Sequence, residues 1–362
     1  MTWRFLAQRA TSKLWLDMDV TFSSWEGPSF ELSGVPSFQA TLLPADGQAV
    51  ATDGRPLFEE WGTLLHVEVA GKIRGSLIVV YSRLEGSTWK IEAAGLSTYP
   101  HGIPYDGDYS KIGVDPAKVV AHLWGHVQSK PDSDLGVTVT GDTTPVRLGT
   151  PARRDEEAEP YALAWWEAPD IGQEIDALAA EAPFDWVEEH TWGGDDVAHT
   201  IRIGYPRLGR RRADLTFTDD ANIIAVGDAE RSGDDYANEI LVIGAGEGEG
   251  SARASKAVRD GRLRRAQVVT AKDTASAARL RAIARDELTA RQGLLTVPQI
   301  TVREHPNAPI GSWALGDDIR VQVTLPHLGD IDLWHRVVAW ELVTDTTALL
   351  SLERSDAYIY GG

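Results

Sequence analysis

Hydrophobic and polar positions alternate in two stretches near opposite ends of the chain, and the two read as one piece of β-structure written twice. The first, Trp61–Leu96, opens on a tryptophan and places Leu65, Val67 and Val69 at every second position. It then turns at a glycine, runs through Leu77–Val80 and reaches Trp89 after a second turn. The second, Trp313–Leu352, opens the same way and alternates Ile319, Val321 and Val323. A Pro/Gly turn follows, then Leu333–Val338, Trp340 and Leu350–Leu352. A period of two sends successive side chains to opposite faces, so each ribbon is expected to bury one face and wet the other. A small β-module used twice around other material points to a scaffold rather than a single catalytic pocket. The competing reading is that any two antiparallel meanders look alike.

The remaining pattern predicts strands at Leu14–Phe22, Ser29–Leu32 and Ser37–Leu43, with turns at Asp53-Gly54 and Gly86-Ser87. After the polar, glycine-rich stretch Tyr99–Gly113 the period changes to that of a helix. Asp115 is placed to cap it and Pro116 to occupy its first position, with Val119, Val120, Leu123, Trp124 and Val127 on one face and Pro131 beyond its end. A charged loop, Arg153–Glu159, leads to a second helix capped by Asp170 and packing Ile171, Ile175, Leu178 and Ala179, which stops before Pro183. Strands are expected at Ile201–Leu215, Ile223–Val226 and Glu239–Ile243. A third helix follows, capped by Asp273 or Thr274, with Ala277, Leu280, Ile283, Ala284 and Leu288 inward and Gly293 at its end. From Ile300 the chain returns to strands.

Length and composition narrow the class. At 362 residues the chain exceeds the usual single core, so two to four domains are expected. With 43% hydrophobic and 25% charged residues it has material for packed cores. Cysteine is absent, which excludes disulfides, zinc-thiolate sites and cysteine nucleophiles. Met1–Ala10 has no apolar core of a secretory signal, and no apolar run approaches a membrane span, so a soluble protein made in a cytoplasm is expected.

The net charge of −19 is unevenly spread. Between Arg253 and Arg291 there are eleven Lys/Arg against four Asp/Glu, a local +7. The rest holds 24 basic against 50 acidic residues, a balance of −26, which disfavours phosphate backbones. The basic island suits either nucleic acid or an acidic neighbouring subunit. Aromatic residues do not interleave with its cations, which favours the subunit. Arg264, Arg265, Arg279, Arg281 and Arg285 are the candidate interface residues.

No catalytic, cofactor-binding or metal-binding set emerges. Gly244–Gly250 follows a strand, but Glu249 stands where a dinucleotide fingerprint needs glycine, and its two carboxylates would repel a pyrophosphate. His122 and His126 have metal-like spacing without the glutamate of the metalloprotease helix or a third ligand. Asp106/Asp108, Asp195/Asp196 and Asp219/Asp220 lack calcium-loop spacing, and nothing singles out one pair for glycoside hydrolysis. Gly95-Leu-Ser-Thr-Tyr99 misses the final glycine of a nucleophile elbow. Thirteen tryptophans include Trp165-Trp166, Trp186, Trp192, Trp313, Trp334 and Trp340, which suit sugar platforms, cores or interfaces; core and interface are favoured. A non-enzyme without a cofactor is therefore expected.

Several segments together resemble minor tail proteins of actinobacterial siphophages. They are Asp115–Gln128, Pro183–Trp186, Tyr205–Leu215, Ala237-Asn238, Gly244–Gly250, Arg262–Arg265 and Gly311–Asp318, and the resemblance runs from about Trp3 to Tyr360. Such proteins are similar to the tail-hub class, related to baseplate hubs of contractile tails and to secretion-system spike hubs. The resemblance implies an α+β, mainly β fold, with two related small β-barrels, an α/β domain between them and a partly helical insertion in the second. The corresponding divisions are 1–97, 98–190, 191–249 with 294–362, and the insertion 250–293. It also implies a homotrimeric ring at the tail tip of the virion. The distal tail protein or tail tube would sit above, a central fibre or spike and other minor tail proteins below, and the tape measure in the lumen. No membrane is implied, and DNA passes only in transit. The chain ends at Gly362 just after its final strand, so wall hydrolysis and host recognition are expected of other proteins. The rival readings are a carbohydrate-binding tail component and a wall-degrading tail enzyme.

Overall fold

The computed structural model describes residues 3–355 except 153–156, 183, 232, 234, 235, 247, 273, 293 and 294. The fold is α+β and mainly β. The chain divides into two compact units, Met1–Leu208 with Ala339–Ala348, and Gly209–Val338 with Leu349–Gly362.

The first unit is built on an antiparallel sheet of β1 (Trp3–Arg9), β2 (Trp15–Val20), β3 (Ser24–Glu31), β4 (Ser37–Leu42), β5 (Thr63–Val69), β6 (Lys72–Glu85) and β7 (Thr88–Gly95), with the short helix α1 (Pro44–Gly47) after β4. The order is β3-β4-β7-β6-β5-β1-β2, and residues 339–341 pair with β3. The meander β5-β6-β7 is the first of the two ribbons. Its alternation predicts a wet face on β5, yet all seven residues of that strand are buried. Leu65, Val67 and Val69 enter a core with Phe5, Phe38 and Ile91. The opposite face is covered as well, because Leu64 joins a second core built by the helices, and His66 meets histidines of a second sheet. Strand β1 was hidden from pattern reading by its Arg4, Gln8 and Arg9. Each finds a partner: Arg4 binds Glu68, Gln8 donates to Asp196, and Arg9 binds Asp53 and Glu59.

That second layer contains β8 (Asp108–Lys111), α2 (Pro116–Gln128), β9 (Val137–Gly141), β10 (Tyr161–Ala164), α3 (Ile171–Glu181), β11 (Asp185–Gly193) and β12 (Asp196–Gly204). Both helices begin where their caps predict. The Asp115 carboxylate accepts the Ala117 N–H at 2.9 Å, and Asp170 accepts that of Gln173 at 3.0 Å. The inward face of α2 is buried as read, each large apolar side chain contributing roughly 2 kcal/mol. Helix α3 ends at Glu181; Pro183, the expected stop, lies outside the described residues, as does most of the Arg153–Glu159 loop. Strands β11 and β12 form an antiparallel pair, and β9 runs parallel to β12. The expected strand Ile201–Leu215 continues only to Gly204. Beyond it Pro206 cannot donate to a ladder.

The second unit contains β13 (Phe217–Thr218), β14 (Ile223–Val226), β15 (Glu230–Arg231), β16 (Glu239–Gly244), β17 (Arg253–Ala257), β18 (Ala266–Ala271), α4 (Ala277–Ala290), β19 (Leu295–Thr296), β20 (Gln299–Arg303), β21 (Asp318–Leu325) and, outside Ala339–Ala348, the strands β22 (Gly329–Thr344) and β23 (Thr347–Arg354). Here β21-β22-β23 form the second ribbon. Ile319, Val321 and Val323 are buried while Arg320 faces out, as alternation predicts. The leading tryptophans are not equivalent, since Trp61 is 52% exposed and Trp313 only 3%. Trp313 instead packs edge-on against Phe217.

Two segments that carry the family resemblance fold onto each other in this unit. Arg212 donates its backbone N–H to the Asp318 carbonyl, and Asp318 donates its own to Arg210. The buried Arg212 guanidinium bridges Asp317 at 3.0 Å and Asp214 at 2.7 Å. Gly209 adopts φ +92°, and a Cβ there would stand 1.9 Å from the Gly316 carbonyl oxygen, so the clasp requires glycine.

Candidate assembly surface

The basic island folds as a small α/β layer. Strand β16 is central, antiparallel to β17 and parallel to β18. Helix α4 lies against β16 and β17, and Leu280, Ala284 and Leu288 pack on Ile240 and Val242. Ala277, expected inward, is exposed in the first turn of the helix. The cap of α4 is Ser276, whose hydroxyl accepts the Arg279 N–H; Thr274 in turn accepts the Ser276 N–H. Asp273 and Gly293 lie outside the described residues. The loop Gly244–Gly250 is described except for Glu247, and it links β16 to β17 through the Ala245–Ala252 backbone bond.

The five candidate interface arginines fall into two groups. Arg279, Arg281 and Arg285 are exposed on α4, with Arg281 and Arg285 one turn apart on the same flank. Arg285 also reaches Asp286 at 2.9 Å. Arg264 and Arg265 are exposed just before β18. Arg264 grips Glu239 with two nitrogens, at 2.6 and 3.0 Å, and this hydrogen bonding holds the Glu239 carboxyl below its usual range. Arg262 stacks over Tyr236 at 4.7 Å. The surface is thus cationic, mostly solvated and built on a packed α/β layer.

The other sequence candidates are occupied by structural partners. His122 meets the Tyr105 hydroxyl at 3.0 Å, and His126 meets Asp106 at 2.7 Å, which also binds Lys130. Among the described residues no three His, Asp or Glu side chains converge as a metal would require. Asp196 accepts from Gln8, and Asp219 accepts the Thr324 N–H. Trp313 and Trp340 are core residues, whereas Trp165 and Trp166 are 57% and 67% exposed. No helix among the described residues is long and apolar enough to cross a membrane.

Sequence reasoning missed a buried histidine cluster in the first unit. His190 Nδ1 lies 3.0 Å from His199 Nδ1, and the His199 ring stacks on that of His66 at 5.9 Å. His66 Nδ1 meets Ser76 at 2.8 Å and its Nε2 meets Gln8 at 3.1 Å. Burial, then the neighbouring histidines, push His66 well below its usual pKa. Burial and His190 lower His199 to about 3. Three histidines spread from residue 66 to 199 carry no local signal; only the sheet packing brings them together.

No protein-family profile and no curated protein matches the chain. Solved structures do share its fold along nearly its whole length. The 43 kDa tail protein of prophage MuSo2 from Shewanella oneidensis aligns with a TM-score of 0.56 at 13% identity, covering 98% of both chains. A tail protein from Neisseria meningitidis MC58 gives 0.54 at 14%, covering 98% of this chain and 97% of that one. Prophage tail protein gp18 from Listeria monocytogenes EGD-e gives 0.52 at 12%, over 97% and 95%. At such identities the likeness is one of fold.

Proposed function

We propose that this chain is a structural component of a phage tail, and specifically the hub of a siphophage tail tip. The observation that carries the reading is the fold match to three tail proteins from different bacteria, covering 97% or more of this chain and 95% or more of theirs. The segments resembling actinobacteriophage minor tail proteins, and the repeated three-stranded ribbon, support the finer assignment. In this reading three copies close a ring in the virion. The ring meets the tail tube or distal tail protein on one side and a central fibre or spike on the other, and its lumen passes the tape measure and DNA. Assembly proceeds by surface complementarity, without a cofactor. The divisions 1–97, 98–190, 191–249 with 294–362, and 250–293 are proposed as its building blocks. The basic layer, with Arg279, Arg281 and Arg285, faces an acidic neighbour. Gold-labelled antibody against the chain, applied to virions of the encoding phage, tests the placement. Label at the tail tip is expected; label along the tube or absent from virions would sink it.

A further inference from the structure

Strand β18 is an open edge. Among the described residues its only strand neighbour is β16, and helix α4 covers the β16–β17 side of the layer. Among the described residues, Gln267–Thr270 make no backbone hydrogen bond beyond those to β16. Unpaired edges recruit foreign strands, and proteins ordinarily blunt them with charge, proline or irregular register. Two of the other edges here are blunted in this way. Strand β2 carries Asp17 and Asp19 and two register shifts, and β17 carries Arg253 and Lys256. Strand β18, Ala-Gln-Val-Val-Thr-Ala, has no charge, proline or register shift. Val268 is 61% exposed on it, and Leu263, just ahead, is 88% exposed. The flanks are basic, with Arg262, Arg264 and Arg265 before the strand and Lys272 after it, all exposed.

We infer that β18 is a docking edge that accepts an extended acidic segment from a second copy of this chain, extending the β17-β16-β18 sheet. Main-chain bonds to the edge would supply affinity, Val268 and Leu263 the apolar contact, and the flanking cations the orientation. A second copy fits as occupant by charge. The layer spanning Arg253 to Arg291 is +7 and the remainder of the same chain is −26. The inference rests on the ring proposed above.

Amide exchange across residues 266–271 of the full chain, compared between dilute monomer and assembled protein, tests it alongside Val268→Asp assembly followed by light scattering. The expected result is protection of 266–271 on assembly, with the variant needing about tenfold more protein to assemble. Wild-type assembly with these amides still exchanging at the monomer rate would overturn the edge while leaving the ring intact. Protection that appears only when another tail protein is added would overturn the second copy as occupant. A wild-type chain that never self-associates would overturn both.

Discussion

Acidification to pH 4.5 should weaken the first unit through its buried histidines. In the folded chain His199 is 3% exposed and its pKa is lowered to about 3, against an ordinary value of 6.5. A depressed folded pKa means that the unfolded chain binds the proton first. The stabilisation is therefore complete above pH 6.5 and is lost as pH falls toward 3. Two units below 6.5, at about 1.4 kcal/mol per unit, His199 alone removes about 3 kcal/mol. His66, fully buried, moves stability in the same direction. The charged groups around the cluster are Glu188, 3.5 Å from His190, Glu68 with Arg4, and Asp196 with Lys13. The Arg4 hydrogen bond lowers the Glu68 carboxyl. Burial opposes ionisation of Asp196, but its bonds to Gln8 and the Val197 N–H prevail. Comparison with His199→Gln subtracts what these carboxylates contribute over the same interval. Urea unfolding by tryptophan fluorescence at pH 7 and 4.5, for wild type and His199→Gln, gives the comparison. The wild type should lose about 3 kcal/mol more than the variant across the interval. Equal losses would refute the reasoning.

The clasp in the second unit should be sensitive at single atoms. Asp317→Ala strips a carboxylate from the buried Arg212 and should cost about 3 kcal/mol in denaturant unfolding. Gly209→Ala should destabilise by more than about 1 kcal/mol, because its Cβ meets the Gly316 carbonyl at a positive φ. Reversal of Arg281 and Arg285 to Glu should weaken self-association without lowering thermal stability; unchanged particle assembly would remove α4 from the interface. Trp165→Ala with Trp166→Ala should leave stability within about 0.5 kcal/mol, since both side chains are exposed. Glycan-array binding lost in that double variant would favour the carbohydrate-binding reading instead.

Where local chemistry decided structure, the sequence was legible. Asp115 and Asp170 cap α2 and α3 as their positions predict, and the apolar stripes of α2 and α4 face the cores. The ribbon at β21 keeps the one-sided burial that its alternation implies. What failed was decided by distant partners. Strand β1 is written with Arg4, Gln8 and Arg9; Gln8 and Arg9 are buried against distant partners that include Asp196, Asp53 and Glu59, and the half-buried Arg4 binds Glu68. The wet face of β5 disappears because another layer packs on it, which a period of two cannot reveal. At the candidate surface, position along the chain located the cations. It did not show that Arg264 is held by Glu239, nor that β18 ends a sheet. Pairing order is a long-range property and leaves no periodic trace.

The mass of the assembled protein tests the central claim most directly. Light scattering over a concentration series, with negative-stain class averages from the same sample, should show a species of three 39.5 kDa chains appearing as a ring with an open centre. A compact particle of one chain mass at every concentration, with and without a tail-tube partner, would contradict it.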